Sequence, residues 1–148
     1  MKERIFLSLG SNIGDRRANL TEALSLLEKG LGAAPEGVSD FIETESWGFD
    51  APDFINAVAS FMVENPDPFR VLAVCKDVEC VMGREEKIEF DSDGNRIYHS
   101  RVIDIDILTI GERTVDSDNL RIPHPLMYKR DFVMVPLRQL SRRLNIKL

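Results

Sequence analysis

Two aspartates, Asp104 and Asp106, sit in the run Arg-Val-Ile-Asp-Ile-Asp-Ile-Leu-Thr-Ile-Gly that spans Arg101–Gly111. Ile103, Ile105 and Ile107 alternate with them, the period-two pattern of a strand whose isoleucines face a core. Both carboxylates then point the same way. At about 3.3 Å rise per residue their Cα atoms are about 6–7 Å apart, close enough for the oxygens to converge on one cation or a pair. Like charges so placed repel, so a positive group belongs between them. By itself such a pair reads equally as a solvated acidic edge. Leu108, Thr109 and Ile110 continue the apolar run as though the strand were central, where aspartate has poor propensity and needs a purpose.

Other residues add to this chemistry. Arg84, Arg101, Arg121 and Arg130 supply positive charge, and His124 is pinned between Pro123 and Pro125. Carboxylates holding Mg²⁺ among arginines are the equipment of phosphoryl transfer, in which metal and guanidinium groups neutralise a polyphosphate. The irregular stretch Thr44–Pro52 carries Trp47 and Phe49, rings that either meet a flat organic ligand or fold back onto the core. Gly10-Ser11-Asn12-Ile13-Gly14-Asp15 is either a ligand-lining loop or a tight strand-to-helix turn; no Walker lysine follows it.

The elements that must position these groups follow from local signals. Ile5–Leu9 reads as a strand. Asp15 then caps a helix carrying Leu20, Ala23, Leu24, Leu27 and Leu31, stopped by Gly30 and Gly32. Val38–Glu45 and Phe54–Val63 read as a hairpin-paired second and third strand. Asp67-Pro68 opens a second helix with Leu72, Cys75, Val78 and Met82 as its buried stripe and Gly83 as its end. Glu79 lies beside that stripe near the helix C-terminus, where the dipole disfavours a carboxylate and a ligand or arginine would account for it. Arg84–Ser100 is charged and carries the turn signal Asp93-Gly94, so it reads as a ribbon or loop and a candidate lid. After the acidic strand, Arg113–Val115 suits a short edge strand, Leu120–Pro125 is extended, and Leu126–Phe132 forms a helical turn before Pro136. The order strand, helix, strand, strand, helix, strand is the α+β, ferredoxin-like βαββαβ arrangement: an antiparallel sheet with both helices on one face, plus a charged insert and C-terminal additions.

The 148 residues, 43% hydrophobic and 30% charged, suit one soluble domain over 1–148. The net charge of −6 argues against broad nucleic-acid binding. No run approaches the roughly 18 apolar residues of a membrane span, and Met-Lys-Glu-Arg followed at once by a strand leaves no room for a signal peptide, so the cytoplasm is the expected location; a monomer is expected as well. Cys75 and Cys80 diverge on one helix and read as core thiols.

Six separated motifs occur in register: Gly10-Ser11-Asn12; Asp53-Phe54-Ile55-Asn56-Ala57; Glu79 with Gly83-Arg84; Arg101–Ile107; Ile122-Pro123-His124-Pro125; and Arg130-Asp131-Phe132 with Pro136-Leu137. Together they resemble the 6-hydroxymethyl-7,8-dihydropterin pyrophosphokinases of folate biosynthesis. The resemblance implies transfer of pyrophosphate from ATP to a pterin hydroxymethyl group, with AMP released and two Mg²⁺ ions held by Asp104 and Asp106. It implies a pterin pocket of Thr44, Trp47, Phe54, Asn56 and Phe132, with Arg84 and Arg101 in the catalytic set. Glu79, Arg84, Tyr98, Arg101, Ile107, Arg121, His124 and Arg130 would lie along ATP. The chain departs from the family at Leu126 and Asn119, where relatives often carry arginine, and Arg121 is a substitute for one of them. The rival readings are a non-catalytic nucleotide- or metal-binding module and an RNA-binding domain; an acidic strand that would have to offer stacking rings disfavours the latter.

Overall fold

The computed structural model describes residues 1–44, 53–83, 89–90, 92–93, 96–97 and 102–146. Its centre is β1 (Lys2–Ser11), whose last seven residues are all buried. Antiparallel neighbours flank it, β4 (Phe54–Glu64) on one side and β7 (Asp104–Ile110) on the other. β2 (Pro35–Val38) and β3 (Ile42–Thr44) both pair with β4, giving the order β2-β4-β1-β7 with β3 beside β2 along β4.

The single strand expected over Val38–Glu45 is two. Ser39 divides it: its N–H donates to the Val58 carbonyl at 2.9 Å, and its hydroxyl accepts from the Val58 N–H at 2.9 Å. A side chain thus takes the place of a backbone acceptor in the ladder, and the chain turns out at Asp40 to meet Gln139 and Arg143.

The acidic strand is an edge strand, not a central one. Its outer backbone is nonetheless partnered, because the Ile105 N–H donates to Glu79 Oε2 at 3.0 Å and the Leu108 carbonyl accepts from the His124 N–H at 2.9 Å. An edge held by a buried carboxylate and a loop avoids the exposed pairing groups that edges otherwise present.

α1 (Arg16–Leu31) and α2 (Pro68–Val81) start at their expected caps, with Asp15 accepting from the Ala18 N–H and Asp67 from the Phe69 N–H. Gly30 does not end α1; it lies inside the helix, where a Cβ would stand 2.6 Å from Val74 Cγ1, so its role is to let α1 and α2 approach closely. Gly32, with φ of 73°, provides the stop. The stripe of α2 is shifted from the one expected: Val71, Cys75, Val78 and Glu79 are buried, while Leu72 and Met82 are half-buried. Cys75 is a core thiol, but Cys80 is exposed.

Both helices pack over Ile5, Leu7, Leu9, Ile55, Ala57, Ala59, Phe61, Ile105, Ile107 and Ile110. The helical turn expected over Leu126–Phe132 is a 3₁₀ turn at Met127–Lys129, and the other face carries a third helix, α3 (Asp131–Arg143), which runs on through Pro136. Pro136 removes one helical donor, yet Val133, Met134, Leu137 and Leu140 form a buried stripe against Phe6, Val58 and Leu108, and this apolar burial outweighs the lost bond. Two small ribbons complete the chain: β5 (Glu89–Phe90) with β6 (Arg96–Ile97) in the charged insert, and β8 (Val115–Asp116) with β9 (Arg121–Ile122). Among the described residues no helix is long and apolar enough to cross a membrane.

Candidate active site

Strand register places the site. Asp106 lies opposite Ser8 and Asp104 opposite Gly10, while Gly10 lies opposite Asn56 and Asn56 opposite Ile42. Residues directly opposite share a face, so Ile42, Asn56, Gly10 and Asp104 form one transverse row. The isoleucines of β7 face α1 and α2, so this row and Asp106 lie on the face of α3. α3 covers Phe6, Val58 and Leu108 and begins next to Arg130, whose Nη1 is 4.0 Å from Asp106 Oδ2. Beyond that point the face carries Ser8, Asn56, Asp104 and Asp106 together with Phe54 and Ile42.

Gly10 is the gap in the row. A Cβ there would stand 2.6 Å from Asn56 Oδ1 and 3.3 Å from Phe54 Cδ1, so these two side chains lie against the bare backbone. Asn56 is 4% exposed, and its Nδ2 donates to Thr44 Oγ1. Two strand spacings, about 10 Å, separate Asn56 from Asp104, and Gly10 between them carries no side chain. Expected organic-ligand residues and expected metal ligands therefore adjoin across one glycine.

On the outer side of β7, a cleft of about 410 Å³ is lined by Ile105, Asp106 and Ile107 together with Leu72, Lys76, Arg121 and His124. That volume suits a small organic ligand. His124 Nδ1 accepts from the Leu126 N–H at 3.2 Å, so a neutral ring carries its hydrogen on Nε2. Burial holds this imidazole below its ordinary value, Arg130 lowers it further, and Asp104 opposes both. Cys75 shows the field of the acids from within: burial, then Glu79 and Asp106, push its thiol up to about 12.

Of the expected nucleotide residues, Ile107, Arg121 and His124 line the cleft. Arg121 also pairs with Asp116 at 3.4 Å. Glu79 stands behind the cleft wall, 1% exposed, bound to the Ile105 N–H and 3.7 Å from Lys76 Nζ. Arg130 is beside Asp106, with its guanidinium 5.5 Å from the centre of the Phe132 ring. Trp47, Arg84, Tyr98 and Arg101 lie outside the described residues, as does most of the Arg84–Ser100 stretch expected as a lid. Sequence reasoning missed Lys76; its position four residues after Leu72 and three before Glu79 is the helical spacing that could have found it.

Two half-exposed aspartates on one strand suit Mg²⁺, which keeps waters and takes substrate phosphates at its remaining positions. Among the described residues no group of three or more His, Cys, Asp or Glu gathers into a cage that could hold a metal alone. The donor set therefore fits an ion shared with a substrate.

An acidic strand with Arg130 beside Asp106, on a mixed α/β fold with an antiparallel sheet, has the donor chemistry that phosphoryl-transfer domains use. Comparison with known proteins narrows it. Residues 6–142 match the model of the 7,8-dihydro-6-hydroxymethylpterin-pyrophosphokinase family, and the chain belongs to that family. It is 43% identical over 135 residues to a 2-amino-4-hydroxy-6-hydroxymethyldihydropteridine pyrophosphokinase of Porphyromonas gingivalis, covering 90% of this chain and 87% of that one. The Bacillus subtilis protein of the same name is 30% identical over 146 residues, covering 98% and 82%. A folate synthesis bifunctional protein of Arabidopsis thaliana is 40% identical over 91% of this chain, which spans 26% of that longer protein. A crystal structure of an HPPK-DHPS in complex with substrates shares the fold, with a TM-score of 0.59 at 14% identity over 91% of this chain and 39% of that one.

Proposed function

We propose that this chain transfers the pyrophosphoryl group of ATP to the hydroxymethyl oxygen of 6-hydroxymethyl-7,8-dihydropterin and releases AMP. The row Asn56–Gly10–Asp104 carries the reading, since it sets an amide that can read a heterocycle beside a carboxylate that can hold a metal. The pterin lies over Gly10, with Phe54 and Phe132 on its faces and Asn56, Thr44 and the backbone near Trp47 at its polar edge. Ile107, which lines the cleft between the edge contacts at Ile105 and Leu108, meets the nucleotide. Arg84, Arg101, Arg121, Arg130 and the Nε2–H of His124 meet the phosphates, while Tyr98 and Glu79 complete the nucleotide side. Asp104 and Asp106 would hold two Mg²⁺ ions, whose charge would shield the polyphosphate.

The hydroxyl oxygen attacks the β-phosphorus and gives up its proton to solvent, the bond from that phosphorus to the α-phosphate oxygen breaks, and AMP departs. Orientation and charge neutralisation supply the catalysis, so no side chain is assigned as a general base. The β–α–β–β–α–β order is read as ferredoxin-like. We read the chain as a monomer that acts on small molecules in the cytoplasm, without a membrane or nucleic acid.

Purified protein incubated with ATP, Mg²⁺ and the pterin is expected to form one AMP per pterin consumed. ADP in its place contradicts the reaction type, and intact ATP after long incubation favours a non-catalytic nucleotide-binding module.

A further inference from the structure

The first turn of α1 carries Arg16 and Arg17 and no acidic residue, although a helix N-terminus disfavours positive charge. Both side chains are used elsewhere. Arg16 Nη1 donates to Glu43 Oε1 at 3.1 Å and to the backbone carbonyl of Asp53 at 2.8 Å. Arg17 stands over the Phe41 ring, 5.9 Å from its centre. Glu43 immediately precedes Thr44, and Asp53 immediately precedes Phe54; Thr44 and Phe54 are the terminal pair of the β3–β4 ladder. One guanidinium therefore bridges Glu43, one pair inside the antiparallel ladder opposite Ile55, and Asp53, which leads into β4 just outside it. β3 has only three residues, and so short an edge strand holds its end weakly by ladder bonds alone.

We propose that Arg16 is a positioning residue for the organic substrate. By tying Glu43 and Asp53 to α1 it fixes the Thr44–Phe54 end of the ladder, and with it the hydrogen bond from Asn56 to Thr44 that aims the amide. The inference rests on the pterin reading of Thr44, Phe54 and Asn56. Arg16 reaches a carboxylate and a carbonyl of the protein, so its effect is carried through those residues. Arg17 serves as the internal control: it lies in the same turn with the same charge, and its contact at Phe41 is three residues before Thr44.

The test is steady-state kinetics on the full chain with each substrate varied separately, in wild type, Arg16→Ala, Arg16→Lys and Arg17→Ala. Loss of two charge-assisted bonds in Arg16→Ala is expected to raise the pterin KM about tenfold, with the ATP KM unchanged and kcat within about twofold. Arg16→Lys recovers part of the loss by keeping one donor, and Arg17→Ala matches wild type. Amide hydrogen exchange at Ile42–Thr44 quickens in Arg16→Ala while that of β1 and β7 does not. A wild-type pterin KM in Arg16→Ala overturns the proposal, as does a rise in both KM values accompanied by faster exchange throughout the sheet. Absence of AMP from the wild-type reaction counts against the pterin reading instead, and exchange at Ile42–Thr44 then decides the clamp: unchanged, it overturns the clamp; quickened there alone, it supports it.

Discussion

The two faces of one sheet carry opposite tasks. On the face under α1 and α2, β1 presents Ile5, Leu7 and Leu9 and β4 presents Ile55, Ala57, Ala59 and Phe61, apolar along the whole covered length. On the face under α3, β1 presents Phe6, Ser8 and Gly10, β4 presents Val58, Asn56 and Phe54, and β7 presents Leu108, Asp106 and Asp104. The second face is continuously apolar only where α3 lies; beyond it Ser8, Asn56, Asp104 and Asp106 mix with Phe54 and Ile42. One fully apolar face can hold the fold, and this frees half of the other for polar groups whose desolvation would otherwise cost stability.

The contrast can be broken from either side, and the largest effects come as a pair. Asp104→Ala or Asp106→Ala is expected to lower turnover about a thousandfold or more, because each removes a ligand of the charge-neutralising metals. Stability in urea should move by about 0.5 kcal/mol or less, as for other substitutions away from the core. Leu7→Ala does the reverse, costing about 2–5 kcal/mol of stability while folded molecules keep their turnover. Aspartate variants that unfold, or a leucine variant that is stable and inactive, would erase the distinction between the faces.

A smaller effect sharpens it. Gly10→Ala puts a methyl group 2.6 Å from Asn56 Oδ1, and Asn56 is too buried and too firmly bound to Thr44 to yield freely. The pterin KM is expected to rise about tenfold with the ATP KM unchanged, a modest steric cost in one pocket. An unaltered pterin KM would mean that the amide beside Gly10 does not read the substrate.

Features carried by local chemistry were legible in the sequence. Asp15 and Asp67 announce helix starts because capping is decided within three residues, and Ile103, Ile105 and Ile107 announce their strand because alternation is itself the strand signal. Family motifs brought Asp104, Asp106, Phe54 and Asn56 together before their register was known. Features set by distant partners were not legible. Pro136 reads as a helix stop until Phe6, Val58 and Leu108 supply a surface for α3 to cover. Ser39 reads as an ordinary strand residue until the Val58 backbone, 19 positions away, engages its hydroxyl. Gly30 reads as a terminator until Val74 packs over it, and nothing local singles out Arg16 before Glu43 and Asp53 fold beside it. Cys80 shows the same limit, since helical spacing separates it from Cys75 without saying which of the two is covered.

The most direct test of the central claim, that the uncovered half of the α3 face is the substrate site, is amide chemical-shift mapping by NMR. The wild-type chain would be titrated with 6-hydroxymethyl-7,8-dihydropterin in the presence of Mg²⁺ and a non-hydrolysable ATP analogue. The largest shifts are expected at Gly10, Thr44, Asn56, Asp104, Asp106 and Ile107, with Leu20, Leu27 and Val71 on the opposite face little changed. Shifts concentrated on α1 and α2, with the Asn56–Gly10–Asp104 row silent, would contradict it.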